Sequence, residues 1–144
     1  MHMKQMIDSA QLDEITEVQR NAIRDWWTPA EGDWIASKGN SRQKKWHTEL
    51  NSDDTDYGFA YEPGVKVKDK NIVPLLSIGQ MIEFLRCKGE LGQILYLIGW
   101  TGQYAQWRVT NREGVPCLNT NHPQMGVDFL ELCDALWEAV KKTL

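Results

Sequence analysis

The stretch Ile72–Leu85, IVPLLSIGQMIEFL, joins a short apolar run to the best-marked helix start in the chain. Ser77 and Gln80 form a capping-box pattern, in which each side chain bonds the backbone amide of the other residue. Behind this cap four apolar residues recur at i, i+3, i+4 and i+7 and share one helical face: Ile78, Met81, Ile82 and Leu85. The helix is predicted to run from Ser77 to Lys88. Its single apolar face needs a sheet or other helices to cover it.

A second helix is predicted upstream, from Ser9 to Trp27, because apolar residues recur there with helical spacing. Thr16 and Gln19 repeat the capping-box pattern inside it, so the helix is expected to begin, or begin again, at Glu17. Thr28-Pro29 ends it, since a proline disfavours a helical residue before it.

A third helix is predicted from Asp128 to Leu144, with Asp128 at the N-cap and Glu131 three positions later. Its expected buried stripe consists of Phe129, Leu132, Cys133, Leu136 and Val140. The sequence therefore contains three principal helices, each with one apolar stripe.

The strand candidates lie between these helices. Ile94–Ile98 is the most apolar of them and is expected at the centre of a sheet, in a hairpin with Tyr104–Thr110. The other candidates are Trp34–Ser37, a strand around Trp46–Leu50, Tyr57–Tyr61, Val65–Lys68 and Ile72–Leu76. Because the last contains Pro74, it is expected either at a sheet edge or as an extended lead into the helix. We therefore expect one α+β domain spanning residues 1–144, with three helices packed on a mainly antiparallel sheet of four to six short strands.

Composition limits the classes of function. The net charge is −4, so any site for nucleic acid has to be a local patch rather than the whole surface. Three widely separated cysteines favour a reducing compartment, and Cys87 and Cys133 fall in apolar helical patterns typical of core residues. The first ten residues lack an apolar segment of signal-peptide length, and no run is long enough for a membrane helix. A cytoplasmic protein without membrane association is expected.

The chain contains seven tryptophans, a high count for 144 residues. Trp26 and Trp137 fall on or beside apolar helical faces and are expected in the core. The remaining strand-associated tryptophans are candidates for an exposed aromatic surface that binds a protein partner: Trp34, Trp46, Trp100 and Trp107. Aromatic side chains dominate many protein-binding hot spots, which is why these four are the candidate binding residues.

An alternative function is nucleic-acid binding by a basic loop over residues 38–45. Its cations are Lys38, Arg42, Lys44 and Lys45. They could contact phosphates while a nearby tryptophan stacks on a base. Asp53, Asp54 and Asp56 follow closely and oppose this charge, which makes a solvated surface the more common explanation.

No motif predicts catalytic residues, a cofactor or a metal. The acidic loop fails as an EF-hand because Tyr57 and Gly64 stand where calcium ligands are required. Cys117 could be a nucleophile if His47 or His122 lay beside it, but sequence separation cannot show this. An enzyme with a cleft that carries no recognisable motif is therefore a third alternative, which the sequence does not support.

Three blocks of the chain resemble segments of small uncharacterised proteins from phages and prophages of low-GC Gram-positive bacteria. The blocks are WTPAEGDW (Trp27–Trp34), LLSIGQMIEFL (Leu75–Leu85) and LELCDALWEAV (Leu130–Val140). The resemblance implies an accessory protein of a virus or mobile element, and it brings no catalytic residues. Together with the tryptophans, it predicts a non-enzymatic protein that binds a host or viral protein.

Overall fold

The computed structural model describes residues 3–37, 40–45, 72–98, 105–120 and 126–144. Two compact units are present: Asp8–Leu75, and Met1–Ile7 together with Leu76–Leu144. Both units combine helices with antiparallel strands, so the fold class is α+β. This division does not test whether the chain behaves as one domain, so the single domain over residues 1–144 stays a prediction.

The unit Asp8–Leu75 combines two helices with a three-stranded antiparallel sheet. Its described elements are α1 (Ser9–Leu12), α2 (Glu17–Trp26), β1 (Trp34–Ser37), β2 (Asn40–Lys45) and β3 (Ile72–Pro74). Among the described residues the sheet has the order β2-β1-β3, which places β3 and its Pro74 at an edge. This confirms the prediction for Pro74, because a proline cannot donate a hydrogen bond to a neighbouring strand.

The range Ser9–Trp27, predicted as one principal helix with a possible restart at Glu17, contains two helices in the structure. Asp8 caps α1 by accepting a bond from the Gln11 amide at 2.9 Å. Thr16 caps α2 in the same way, with the Gln19 amide 3.2 Å from its hydroxyl oxygen. Two capping boxes in tandem start two helices, so the restart predicted at Glu17 is confirmed.

The core of this unit contains Trp27, Ile35 and Ile72, each no more than 2% exposed. Trp26 packs against this cluster but is only partly buried, so the prediction for Trp26 holds only in part. Arg24 is also buried, and its Nε donates to the Ile72 carbonyl at 2.9 Å. A guanidinium from α2 therefore bonds the backbone of β3.

The other unit contains the helix predicted to begin at the Ser77 cap. Its elements are α3 (Ile78–Cys87), β4 (Leu91–Ile98), β5 (Ala105–Asn111) and α4 (Leu132–Thr143). The Ser77–Gln80 capping box is present. The Ser77 amide donates to Gln80 Oε1 at 2.9 Å, and the Gln80 amide donates to Ser77 Oγ at 3.1 Å. Gly89 follows the helix with φ +67°, a conformation that favours glycine, so both ends of the predicted helix are confirmed.

The sheets differ from the single sheet of four to six strands that the sequence predicts. The described residues form one three-stranded and one two-stranded sheet. Ile94–Ile98 forms the predicted hairpin with β5. Among the described residues β5 is the only strand that pairs with β4, so β4 lies at an edge of its sheet and not at the predicted centre. The candidates Trp46–Leu50, Tyr57–Tyr61 and Val65–Lys68 lie outside the described residues.

The last helix has its N-cap at Glu131 instead of Asp128, and its first helical residue is Leu132. The Asp128 carboxylate accepts a bond from Arg108 Nε at 2.8 Å, so it is engaged with β5 rather than with a helical amide. Phe129 then pairs with Trp107 through two backbone bonds of 2.6 and 2.8 Å, which hold the chain extended. The predicted stripe is buried nevertheless, Phe129 included.

The N-terminal segment also belongs to this unit, which no sequence pattern predicts. The Ile7 amide bonds the Leu76 carbonyl at 3.0 Å, and the Ile78 amide bonds the Gln5 carbonyl at 2.9 Å. Lys4 Nζ lies 2.9 Å from Asp134 Oδ1 on α4. The first residues thus connect the start of α3 to the start of α4.

Candidate functional site

The β4–β5 hairpin carries an aromatic pair. Tyr96 and Trp107 are direct partners in the antiparallel register, so their side chains share one face of the sheet. Their ring centroids are 4.6 Å apart with an interplanar angle of 44°. This centroid distance lies within the range of aromatic contacts, so the two rings pack against each other.

The face that carries this pair runs from the core to solvent. Val109 at one end is fully buried, whereas Tyr96 is 52% and Ile98 69% exposed. Trp107 lies between these extremes and is half-buried. We call Tyr96, Ile98 and Trp107 the hairpin face. It is a partly exposed apolar surface on the same side of the sheet as the buried Val109.

The four candidate tryptophans are not all placed. Trp34 is half-buried in β1 of the unit Asp8–Leu75, and Trp107 lies in the other unit. Trp46 and Trp100 lie outside the described residues. Trp107 shares its exposed face with Tyr96 and Ile98, which were not candidate binding residues. The surface formed by all four tryptophans stays a prediction.

The basic segment contains a strand where a loop was expected. Arg42, Lys44 and Lys45 belong to β2, which pairs with β1. In that ladder Lys45 lies opposite Trp34 and Lys44 opposite Ile35. Lys38 lies outside the described residues. The pairing places one candidate cation and one candidate aromatic residue at directly opposite backbone positions.

A cleft of about 450 Å³ lies in the unit that contains α3 and α4. It is lined by Leu85, Lys88, Glu90, Asn111, Val115, Pro116, Cys117, Ala139, Lys142 and Thr143. Lys88 and Lys142 stand at the C-terminal ends of the two helices, where a positive charge offsets the helix dipole. Their positions are therefore explained by helix stability without a ligand.

Cys117 is the only cysteine in the lining of this cleft, and its environment opposes nucleophilic chemistry. Burial raises its pKa, which Lys142 lowers to a smaller extent and Glu138 raises further. A protonated thiol is a poor nucleophile. His47 and His122, the candidate bases, lie outside the described residues, so their approach to Cys117 is untested.

The other two cysteines differ from each other. Cys133 is fully buried, as its helical pattern predicts. Cys87 is exposed, and its Sγ lies 3.6 Å from Glu83 Oε1, so the prediction of a core position for Cys87 is wrong. Cys87 is the last residue of α3, where the apolar face has already ended.

The described ranges contain no group of three or more histidine, cysteine or acidic residues that could hold a metal ion. None of their helices has the length and apolar character needed to cross a membrane.

Comparison of the chain with protein-family models, with curated proteins and with solved structures finds no match.

Proposed function

We propose that this chain is a non-enzymatic interaction protein, an accessory factor of a phage or prophage, which binds a host or viral protein through the hairpin face. The observation that carries the proposal is the exposure of Tyr96 and Ile98 beside the Trp107 ring, which packs against Tyr96. The phage origin rests on the resemblance of three sequence blocks.

The hairpin face has the properties of a binding hot spot. An aromatic ring that is already held by its neighbour loses little side-chain entropy when a partner covers it. Two neighbouring residues on the same face, Tyr96 and Ile98, add apolar area that solvent now contacts. A partner with a complementary apolar patch would remove this area from water.

The test is affinity capture of the tagged protein from a Gram-positive host lysate, with and without nuclease, followed by mass spectrometry. The proposal predicts one protein that is enriched under both treatments. Its enrichment should fall when Tyr96→Ser and Ile98→Ser are introduced together. The matched control is Leu118→Ser, because Leu118 is similarly exposed at 56% but lies outside the hairpin.

Each other outcome has a definite meaning. Enrichment that survives the double substitution places the binding surface elsewhere on the chain and overturns this assignment. A capture that disappears with nuclease favours the nucleic-acid alternative. Circular dichroism of each variant verifies that the fold is intact.

The second candidate function, nucleic-acid binding, is supported by the backbone pairing of Lys45 with Trp34. Cations release condensed counterions from a phosphate backbone, so affinity for DNA or RNA should fall steeply as salt concentration rises. Lys44→Ala with Lys45→Ala should reduce that slope by about 2. An unchanged slope would remove β2 as the binding element.

A further inference from the structure

The cleft of about 450 Å³ has an apolar wall that is made by three parts of one unit. Leu85 comes from α3, Ala139 comes from α4, and the segment after β5 supplies Val115, Pro116 and Cys117. Leu85, Cys117 and Ala139 are buried. The volume lies within the range of sites that hold small molecules, and such a wall covers an apolar group of a ligand.

Charges of both signs line the same cleft. Lys88 is the C-cap of α3, Lys142 lies in the last turn of α4, and Glu90 comes shortly after α3. These three residues, all within the part of the chain that the structure describes, form no ion pair with one another. Lys88 Nζ lies 5.5 Å from the centre of the Phe84 ring. The cleft therefore offers two ammonium groups and one carboxylate to a ligand.

Helix stability explains the two lysines but not the carboxylate. The C-terminal end of a helix carries a partial negative charge, which favours Lys88 and Lys142 at their positions and disfavours Glu90. The Glu90 amide bonds the Leu85 carbonyl at 3.0 Å, so the backbone of Glu90 is held at the end of α3. A cationic group bound beside the Glu90 carboxylate would offset both this charge and the helix dipole.

The charge of Lys142 reaches the interior of the cleft. Burial raises the pKa of the Cys117 thiol, and Lys142 lowers this pKa to a smaller extent. Glu138 raises the same pKa, but its carboxylate is paired with Lys141 Nζ at 2.6 Å. A negative group of a ligand beside Lys142 gains the favourable interaction that a thiolate at position 117 would gain.

We propose that this cleft binds a small zwitterion of the α-amino acid class with an apolar side chain. Lys88 and Lys142 contact its carboxylate, Glu90 contacts its ammonium group, and the apolar wall covers its side chain. An apolar anion would leave Glu90 without a cation, and an apolar amine would leave both lysines without an anion. A dipeptide of apolar residues carries the same groups, so a free amino acid and a dipeptide are the two sources of this chemistry.

Isothermal titration calorimetry of the purified full-length chain with L-leucine and with L-leucyl-L-leucine is the test. We expect at least one of them to bind, and the tighter of the two identifies the source. The N-acetyl derivative of that ligand lacks its positive charge, and the carboxamide derivative lacks its negative charge. Each derivative should bind at least about tenfold more weakly, because it loses a charged contact. Absence of binding by both zwitterions overturns the proposal.

Two variants connect each ligand charge to one side chain of the cleft. Lys142→Met should weaken binding of the zwitterion at least about tenfold and leave binding of the carboxamide unchanged. Glu90→Gln should weaken binding of the zwitterion but not that of the N-acetyl derivative. The matched controls are Arg86→Met, which removes a cation from the last turn of α3, and Glu113→Gln. Both control residues are exposed and lie outside the lining, so their variants should bind normally.

Amide chemical shifts in NMR spectra locate the bound zwitterion. They should change at Leu85, Val115 and Cys117 and stay constant at Tyr96 and Trp107. Shift changes confined to the hairpin face overturn the proposal, and so does an affinity that neither Lys142→Met nor Glu90→Gln lowers. Circular dichroism verifies that each variant is folded. The cleft shares no residue with the hairpin face, so a failure here leaves the protein binding under "Proposed function" unaffected.

Discussion

Arg108 and Asp128 form a two-point ion pair, with Nε 2.8 Å from Oδ1 and a terminal guanidinium nitrogen 3.3 Å from Oδ2. The pair joins β5 to the segment that precedes α4. Asp128 accepts from this side chain, while Phe129 pairs with the Trp107 backbone. The two contacts together explain why the N-cap of the helix lies three residues later than the sequence pattern predicts.

The first prediction concerns this ion pair. Asp128→Asn should lower the free energy of unfolding by about 1 kcal/mol, because the contact is charged and bidentate but both side chains remain partly exposed to solvent. Urea unfolding followed by circular dichroism measures the change. The loss should shrink at high salt, which screens the wild-type pair.

A double-mutant cycle separates the pair from other effects of the substitution. Arg108→Ala, Asp128→Ala and the double variant should give a coupling energy of about 1 kcal/mol. A coupling near zero would mean that Asp128 stabilises the segment without Arg108.

The second prediction uses two glycines. A Cβ at Gly92 would overlap the Asn111 carbonyl oxygen and lie 2.5 Å from Thr110 Oγ1, which accepts the Gln93 amide. Gly92→Ala should therefore destabilise the protein by about 3 kcal/mol or more, because the opposing atoms belong to a paired backbone.

Gly79 is the matched control, because a Cβ there meets only Ser77 Oγ at 4.0 Å. Gly79→Ala in α3 should stabilise the protein by about 0.5–1 kcal/mol, since alanine loses less backbone entropy on folding. Thermal unfolding of both variants tests whether Gly92→Ala lowers the melting temperature and Gly79→Ala raises it. Similar melting temperatures for the two variants would contradict the predicted crowding at Gly92.

Local sequence patterns predicted two helix starts correctly, at the capping boxes with Ser or Thr at the N-cap and Gln three residues later. Ser77 with Gln80 and Thr16 with Gln19 are such pairs, and both bonds are present. The proline rule likewise placed β3 at an edge. Asp128 fitted the same local pattern, but a competing partner on β5 determined its role.

Distant pairings were not predictable in this way. Lys4 and Asp134 are 130 positions apart, so no periodicity relates them. The hairpin register shows the same limit at short range. The sequence predicts a hairpin between Ile94–Ile98 and Tyr104–Thr110 but sets no register for it. The structure pairs Ile98 with Ala105 and Tyr96 with Trp107, and because side chains alternate between faces this register decides which residues share a face.

The third prediction compares two fully buried tryptophans. Trp27 Nε1 donates to Asp33 Oδ2 at 2.8 Å, whereas Trp137 Nε1 has no hydrogen-bond partner among the described residues. Replacement by phenylalanine removes a similar volume at each site. It breaks a bond to a carboxylate at Trp27 but removes an unsatisfied donor at Trp137.

Trp27→Phe should therefore cost about 1–2 kcal/mol more than Trp137→Phe. Chemical unfolding of the two variants under identical conditions gives this difference. An equal or larger cost at Trp137 would indicate that its indole nitrogen is satisfied, for example by a buried water.

The fourth prediction concerns pH and Cys117. Burial raises the pKa of this thiol above its ordinary value of 9.0, so the folded state holds the proton more tightly than the unfolded chain does. The resulting stability is present below pH 9.0 and is lost as pH rises from there through the folded pKa. Because other groups also titrate in this range, the informative quantity is a difference between variants.

Cys117→Ala should flatten the decline in unfolding free energy above about pH 9, whereas Cys87→Ala at an exposed position should leave that decline unchanged. Iodoacetamide supplies an independent check at neutral pH. It should alkylate Cys87 rapidly and Cys117 slowly, because the reaction requires an accessible thiolate. Rapid alkylation of Cys117 in the folded protein would contradict its burial and would restore this residue as a candidate nucleophile.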